Sequence, residues 1–372
     1  MLKIAFFLPS LETAGAERVT VLLANGLLRR GYSVDVVLVR AKGDFLADLV
    51  DGVHVVDLQS PRTLAAVPRL ASYLRKQRPA VLISALEYVN VAAIIASRLS
   101  CTRTPVVSAV HTPLATAGQR WPGVRGAIFS LCVNWSYRRA CAIVCVSQGV
   151  AEGVIRVAGI ARKCVRVIYN PVIPPCIAEL GRQPVDHPWF APPKCSLAGS
   201  KLLLAVGRLM PQKDFPTLLR ALQIVRRRHD ARLIILGEGE ERRHLESLAK
   251  ELGLDSCLSM PGIVKNPYAY MARADLFVLS SAWEALPTVL IEALAVGMPV
   301  VATDCVCGPR EILQDGRYGA LTPVGDAGAL AEAVSAQLSA PRQAVPEEAL
   351  RPFTIDYAVD QYCRFIEEMR RA

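Results

Sequence analysis

The sequence predicts an α/β protein of two domains, each a doubly wound parallel sheet, on three observations. Short apolar, β-branched segments alternate with amphipathic helical stretches, as expected of strands buried on both faces by crossover helices. The alternation breaks over residues 170–200, where seven prolines cannot propagate a helix or a central strand, and then restarts. A chain of 372 residues with 52% apolar and 20% charged residues can fill two cores of ordinary size. The expected domains are residues 1–172 and 173–354, with a closing helix over 355–372 packing back on the first.

The first half supplies the strands "KIAFFL", "YSVDVVLV", "AVLISAL", "PVVSAVH" and "AIVCVS". Between them lie helices such as "AERVTVLLANGLLRR", closed by Gly31, and "TLAAVPRLASYLRKQ". The prolines of 170–200 make that stretch a linker. The second half then reads strand "KLLLAVG", helix "FPTLLRALQIVRRRH", strand "ARLIILG", helix "EERRHLESLAKELG", strand "LSMPG", helix "NPYAYMARA", strand "LFVLS", helix and strand "PVVAT". "DYAVDQYCRFIEEMRR" closes the chain as an amphipathic helix. Two such sheets are expected to leave a ligand cleft at the carboxyl ends of their strands.

Composition narrows the function classes. Eleven cysteines without a CxxC pair, and five histidines that do not cluster with them, read as reduced core residues rather than a metal or disulfide framework. The first apolar run is too short for a signal peptide, and Glu87 and Asn90 interrupt the oiliest stretch, residues 80–99, so no membrane span is expected. Residues 1–172 carry 21 Lys+Arg and 9 Asp+Glu, a net of +12, whereas the remainder nets −2. A basic excess confined to one half suggests an anionic partner there. No recognition motif for nucleic acid accompanies it.

The candidate site gathers in the second half. Arg208 directly follows the strand "LLLAVG", which Gly207 ends, and Lys213 lies five residues beyond Arg208, in the loop before a helix. Two cations at the end of a parallel strand suit a pyrophosphate, although a solvated basic loop reads equally well from these residues alone. Pro287 fits the first position of a helix running from about residue 287 to 296, and Gly297 fits its left-handed stop. The free N–H groups of Thr288 and Val289 would then form an anion site. Glu284 stands just before this helix, within reach of hydroxyl groups. Glu292 lies inside the apolar run "VLIEALAV", one turn from Thr288. A buried carboxylate needs hydrogen-bond donors, and vicinal ribose hydroxyls would provide two. The bland alternatives are a helix-start acid for Glu284 and a half-exposed face for Glu292.

Across nearly the whole chain the sequence resembles the retaining, family-four glycosyltransferases of the GT-B fold, of bacterial surface-polysaccharide type. The carriers are "AGAERV", "VHTP", "VRVIYNPV", "VGRLMPQKDFPTLLRAL", "LIILGEGEERRHLESLAKELG", "PGIVKNPYAYMARADLFVLSSAWEALPTVLIEALAVGMPVVATD" and "GPREILQDGRYGALTPVGD". The resemblance implies an acceptor-binding first domain and a second domain that binds a nucleotide-sugar donor. Arg208 and Lys213 would hold the donor diphosphate beside Gly207. Glu284 would take hydroxyls of the donor sugar, with Pro287, Thr288 and Val289 beside it, and Glu292 would bind the ribose. His111 would stand near the transferred sugar, Gly15 would let backbone approach phosphate or acceptor, and Ile263 would meet the nucleobase. Two departures stand out. Ala285 and Leu286 occupy positions where the family usually has glycine and phenylalanine, and Ala14-Gly15 stands where a glycine pair is common.

The implied activity is retaining transfer of a hexose or N-acetylhexosamine from a nucleotide diphosphate sugar, expected to be UDP-linked, to a lipid-linked or saccharide acceptor in cell-surface glycan synthesis. No Asp-x-Asp pair is placed to hold Mg²⁺, so no metal or other cofactor is expected. A nucleotide-sugar epimerase on the same fold and a non-catalytic sugar-nucleotide-binding protein are the alternatives; the intact Glu284/Glu292 element and the retained Arg208 and Lys213 speak against them. Absence of GxGxxG after the first strand speaks against a nicotinamide enzyme. The expected location is cytoplasmic, peripheral on the inner face of the cell membrane. There residues 121–140, with Trp121, Trp135, Arg120, Arg125, Arg138 and Arg139, would meet anionic lipid.

Overall fold

A computed structural model describes residues 1–12, 15–114, 124–190 and 199–371. The chain divides into two compact units, Met1–Val172 with Pro352–Ala372, and Ile173–Arg351. Both are built on parallel sheets with helical crossovers.

The first unit holds a seven-stranded sheet in the order β3-β2-β1-β4-β5-β6-β7. Its strands are β1 Lys3–Leu8, β2 Ser33–Leu38, β3 His54–Asp57, β4 Val81–Ala85, β5 Val106–Val110, β6 Ala142–Cys145 and β7 Val165–Val167. The unbroken hydrophobicity of β1 follows from its burial on both faces. Ile4, Phe6 and Leu8 enter one core, and Ala5 and Phe7 enter the other. The first core is completed by the C-terminal helix Ile355–Arg371, through Ala358, Val359, Tyr362, Phe365 and Ile366. That helix packs on the helix Gly15–Arg29 at Gly26, where a Cβ would lie 2.3 Å from Val359 Cγ2.

The second unit holds a six-stranded sheet in the order β10-β9-β8-β11-β12-β13. Its strands are β8 Lys201–Val206, β9 Ala231–Leu236, β10 Leu258–Gly262, β11 Leu276–Leu279, β12 Val300–Thr303 and β13 Ala320–Thr322. One face is sealed by the helices Phe215–Val225, Arg242–Glu251 and Ala327–Ser339.

Three strands were not foreseen: β3, β7 and β13. All lie at sheet edges, where a strand of three or four residues carries too little alternation to stand out. The proline-rich stretch also differs from the expected structureless linker. It carries a helix, Ile177–Arg182, fitted into a gap without proline between Pro175 and Pro184. Arg273 Nη1 and Asn266 Nδ2 donate to its Gly181 and Leu180 carbonyls at 2.9 and 2.8 Å, so the segment is part of the second unit.

Candidate functional site

In the second sheet, chain order reverses at β8, which lies between β9 and β11. Open α/β sheets bind ligands beyond the carboxyl ends of strands at such a point. The loops after β8 and β11 carry Lys213 and Glu284.

Local chemistry fixes the first loop. Pro211 opens the short 3₁₀ turn Pro211–Lys213, and Asp214, at φ 45°, ends it and caps the next helix by accepting from Thr217 N–H at 3.4 Å. Lys213 is thereby turned back over Gly207. A Cβ at 207 would stand 3.0 Å from Lys213 Cε, so a side chain there would press on the lysine stem. Lys213 Nζ reaches Glu284 Oε1 at 2.6 Å, and the two side chains are only 15% and 8% exposed. Ser281 Oγ donates to the same oxygen at 2.7 Å, and Gln212 Nε2 donates to Oε2 at 3.2 Å. Three further bonds stitch the loops together: Ser280 Oγ to Lys213 O at 2.8 Å, Ala282 N to Gln212 O at 2.8 Å, and Thr303 Oγ1 to Ser281 O at 2.6 Å.

The sequence reading sent Lys213 to a diphosphate and Glu284 to a sugar. In the structure the two also meet each other, because both project from adjacent strand ends into a space shielded from water. Arg208 stays exposed at the start of its loop. The neighbouring backbone is packed without room for side chains: a Cβ at Gly237 would lie 2.0 Å from Gly207 O, and one at Gly239 2.1 Å from Leu209 O.

The helix following Glu284 spans Thr288–Ala295. Pro287 is its N-cap rather than its first helical residue, with extended backbone at φ −71°, ψ 93°. Gly308, at φ +92°, explains its placement, since a Cβ there would lie 2.3 Å from Pro287 Cδ. At the other end Gly297 adopts φ +76°, and Gly297 and Met298 donate to the carbonyls of Leu294 and Ala293, a Schellman stop. Thr288 and Val289, whose N–H groups precede the intrahelical ladder, are half-buried. Glu292 is buried, and the donor that reaches its Oε1, at 3.0 Å, is Tyr268 Oη from the helix Pro267–Met271. Ile263 follows β10 and is 80% exposed.

In the first unit, His111 follows β5 and is half-buried. Burial pushes its imidazole down to about 4, so the ring is neutral at physiological pH. Gly15 begins a helix, and apart from its chain neighbours and its own helix backbone no atom of the described residues lies within 4 Å of the place a Cβ would take. Ala14 lies outside the described residues. Among the described residues no three His, Cys, Asp or Glu side chains gather to hold a metal ion.

Residues 13–174 match the family Glycosyltransferase Family 4, and residues 193–349 match Glycosyl transferases group 1. The chain belongs to these glycosyltransferases.

A Campylobacter jejuni relative, N-acetylgalactosamine-N,N'-diacetylbacillosaminyl-diphospho-undecaprenol 4-alpha-N-acetylgalactosaminyltransferase, is 26% identical over 91% of this chain and 90% of its own length. An uncharacterized glycosyltransferase of Methanocaldococcus jannaschii is 42% identical, but the match spans 31% of this chain and 28% of the relative. The crystal structure of Anabaena HepE in complex with UDP and glucose shares the fold, with a TM-score of 0.78 and 21% identity over 99% of this chain and 100% of that one.

The glycosyltransferase also carries the basic segment singled out for a membrane. Arg120 and Trp121 lie outside the described residues. Trp135 is not a free interfacial aromatic: it packs against the first unit's core, with the guanidinium groups of Arg139 and Arg98 4.7 and 5.8 Å from its ring centre. Arg138 Nε donates to Ala158 O at 2.9 Å. The large apolar side chains that the helix Val124–Tyr137 exposes are Val124, Ile128 and Leu131, which are 76, 55 and 68% exposed and spaced to share one face. Among the described residues no helix is long and apolar enough to cross a membrane.

Several residues that build the candidate site escaped the sequence reading. Tyr268, Ser281 and Gln212 meet their carboxylates through tertiary contacts. Gly237, Gly239 and Gly308 stood in quoted motifs without an assigned role; the available signal was glycine just past a strand for the first two and glycine before proline for Gly308.

Proposed function

We propose that the protein transfers a hexose or N-acetylhexosamine, with retention, from a UDP-sugar to a lipid-linked or saccharide acceptor in cell-surface glycan synthesis. The observation that carries this is the buried Lys213–Glu284 pair at the strand-order reversal of the second unit, followed directly by a helix N-terminus. The acceptor class and the UDP-linked donor draw support from the wording of the Campylobacter relative and the HepE complex. On this reading Arg208, Lys213 and the N–H groups of Thr288 and Val289 take the diphosphate, Glu284 the donor sugar, Glu292 the ribose and Ile263 the base. Gly207 and Pro287 shape the pocket. In the first unit His111 stands by the transferred sugar, as a neutral hydrogen-bonding group. Gly15, where neither backbone conformation nor a neighbour among the described residues requires glycine, admits a ligand.

The bond from the anomeric carbon to the diphosphate breaks, and a bond to the acceptor oxygen forms on the same face. The acceptor proton leaves with the diphosphate. Positioning and stabilisation of the leaving charge supply the rate. Lys213, Arg208 and the helix terminus give that stabilisation without a metal. The protein works at the inner face of the cell membrane, held through the basic first unit.

A panel of nucleotide sugars, offered with undecaprenyl-diphosphate-linked saccharides and read by nucleoside diphosphate release with and without EDTA, tests this. One UDP-hexose or UDP-N-acetylhexosamine is expected to react, with unchanged rate in chelator. No release with any donor would overturn the proposal, and activity only with added Mg²⁺ or Mn²⁺ would overturn its metal-free form.

A further inference from the structure

Two polar residues interrupt the oily stretch 80–99, and the structure gives them different work. Asn90 is fully buried and satisfied: it accepts from Ser84 Oγ at 2.7 Å and donates to Ala109 O at 3.2 Å, tying β4 to β5. Glu87 is not satisfied. It heads the helix Glu87–Ser100 directly after β4, and its Oε1 is cut off from water without a hydrogen-bond partner. The residue before it, Leu86, holds φ 79°, ψ 140°, a strained conformation for a side-chain-bearing residue. Such a conformation persists only where the surrounding structure holds it.

Two more unpartnered atoms lie in the same neighbourhood. Ser108 Oγ is on β5, where Ser108 is the register partner of Ser84 and stands three residues before His111. Tyr137 Oη lies against the Asn90 amide, close enough for that amide to favour the ionised hydroxyl, and near the Glu87 carboxylate, but neither contact reaches full hydrogen-bond geometry. Ser108 and Tyr137 are 0 and 1% exposed. Each buried polar group left unpaired destabilises the fold, and phenylalanine or alanine would remove that cost. The first sheet reverses its chain order between β1 and β4, so this cost is concentrated beside the place where an open α/β sheet takes its ligand. The set is also chemically complementary. Burial first, and the Glu87 charge second, hold the Tyr137 hydroxyl well above its ordinary range, so it keeps its proton and donates. Ser108 donates too, and Glu87 accepts.

We propose that Glu87 is the saccharide-binding carboxylate of the first unit, set in place by a buried polar chamber lined by Ser108 and Tyr137. One ordered water, bonded to Glu87 Oε1, Tyr137 Oη and Ser108 Oγ, has the two to four partners that such a water requires. The carboxylate of this half-buried residue takes hydroxyls of a hexopyranose. Ser108 and Tyr137 are positioning residues that act through the water. Calling the bound saccharide the acceptor rests on the transferase reading; the binding itself does not.

Calorimetric titration of the intact protein with the octyl glycosides of galactose, glucose, N-acetylgalactosamine and N-acetylglucosamine tests this without turnover, with UDP as a separate titrant. At least one glycoside should bind. Glu87→Gln should weaken it at least tenfold, and Tyr137→Phe and Ser108→Ala about threefold, with the UDP dissociation constant unchanged. Because both hydroxyls lack a protein partner, the latter two variants should melt no lower than the parent. The proposal is overturned if no glycoside binds, if Glu87→Gln binds as tightly as the parent, or if sugar and UDP affinity fall together. Absence of transfer in the donor panel beside intact glycoside binding would instead sink the transferase reading alone.

Discussion

Lys213 and Glu284 lie 71 residues apart and meet at 2.6 Å, in a pair shielded from water on both sides. The contact joins the two loops at the strand-order reversal, so neither side chain acts alone. Glu284→Gln keeps an acceptor for Ser281 and removes the charge. It should abolish detectable transfer while changing UDP affinity less than threefold, because the proposed partner is the sugar. Lys213→Ala should lower turnover on the order of 10²-fold, the scale of losing one charge-stabilising donor. The double variant should show a coupling of about 1 kcal/mol or more, as expected of side chains in contact. The cycle is read in urea unfolding, and strict additivity of the unfolding free energies would show that the pair does not work as a unit.

Glu292 tests the nucleotide side of the site. Its buried carboxylate accepts from Tyr268 Oη at 3.0 Å, so Tyr268→Phe removes a donor from a charged group. Charged hydrogen bonds contribute about 1.5–3 kcal/mol, and a loss of stability near the lower end is expected in chemical denaturation. Glu292→Ala should weaken UDP binding by roughly 1–3 kcal/mol through the lost hydroxyl contacts. Calorimetry with UDP alone reads this; unchanged affinity would remove the ribose assignment.

Gly308 offers a backbone test. Its φ of +92° disfavours any side chain, and a Cβ would strike Pro287, the N-cap of the helix after Glu284. Gly308→Ala should therefore lower both the melting temperature and turnover. Gly253, at φ +67°, has nothing within 4 Å of its would-be Cβ, so Gly253→Ala carries the strain without the clash. It should cost stability and leave turnover intact. Equal loss of turnover in both would show that contact with Pro287 is irrelevant to the site.

Much of this architecture could be read in the sequence, and the failures have a common cause. Central strands such as β1 and β8 are buried on both faces, so their continuous hydrophobicity announces them. Edge strands β3, β7 and β13 lack that signal. Glu292 was conspicuous as a carboxylate in an apolar run, and Gly297 as a helix stop. Tyr268 was not, because an aromatic residue in a short helix looks like core until its hydroxyl is located. The Lys213–Glu284 pairing was hidden for the same reason: periodicity reports which face is buried, and says nothing about which loops meet at a strand reversal.

His111 predicts a pH dependence. Its folded pKa of about 4 lies below the ordinary 6.5, so between these values the unfolded chain binds the extra proton. Its contribution to stability is fully present above about pH 6.5 and is lost as pH falls towards 4, with a slope of at most about 1.4 kcal/mol per pH unit. Urea unfolding of the parent and of His111→Gln across that window should differ in slope, the variant being flatter. Parallel curves would show that burial of this imidazole does not govern acid stability.

The membrane proposal now rests on a different set of side chains from those the sequence suggested. With Trp135 packed against the core beneath Arg139, the apolar contribution falls to Val124, Ile128 and Leu131, three exposed residues on one face of a helix. Arg125 and Arg139 are exposed on the same helix and just past its end. An anionic surface attracts each nearby arginine by about 1 kcal/mol, and burying apolar side chains in the headgroup region adds to this. The two terms separate by salt. Ile128→Glu with Leu131→Glu should reduce sedimentation with phosphatidylglycerol vesicles at both low and high salt. Arg125→Gln with Arg139→Gln should reduce it at low salt only, where the charge term is unscreened. Phosphatidylcholine vesicles should bind weakly throughout. If the parent binds both lipids equally, or neither, the first unit does not dock on an anionic membrane, and its +12 charge must serve a soluble phosphorylated acceptor instead.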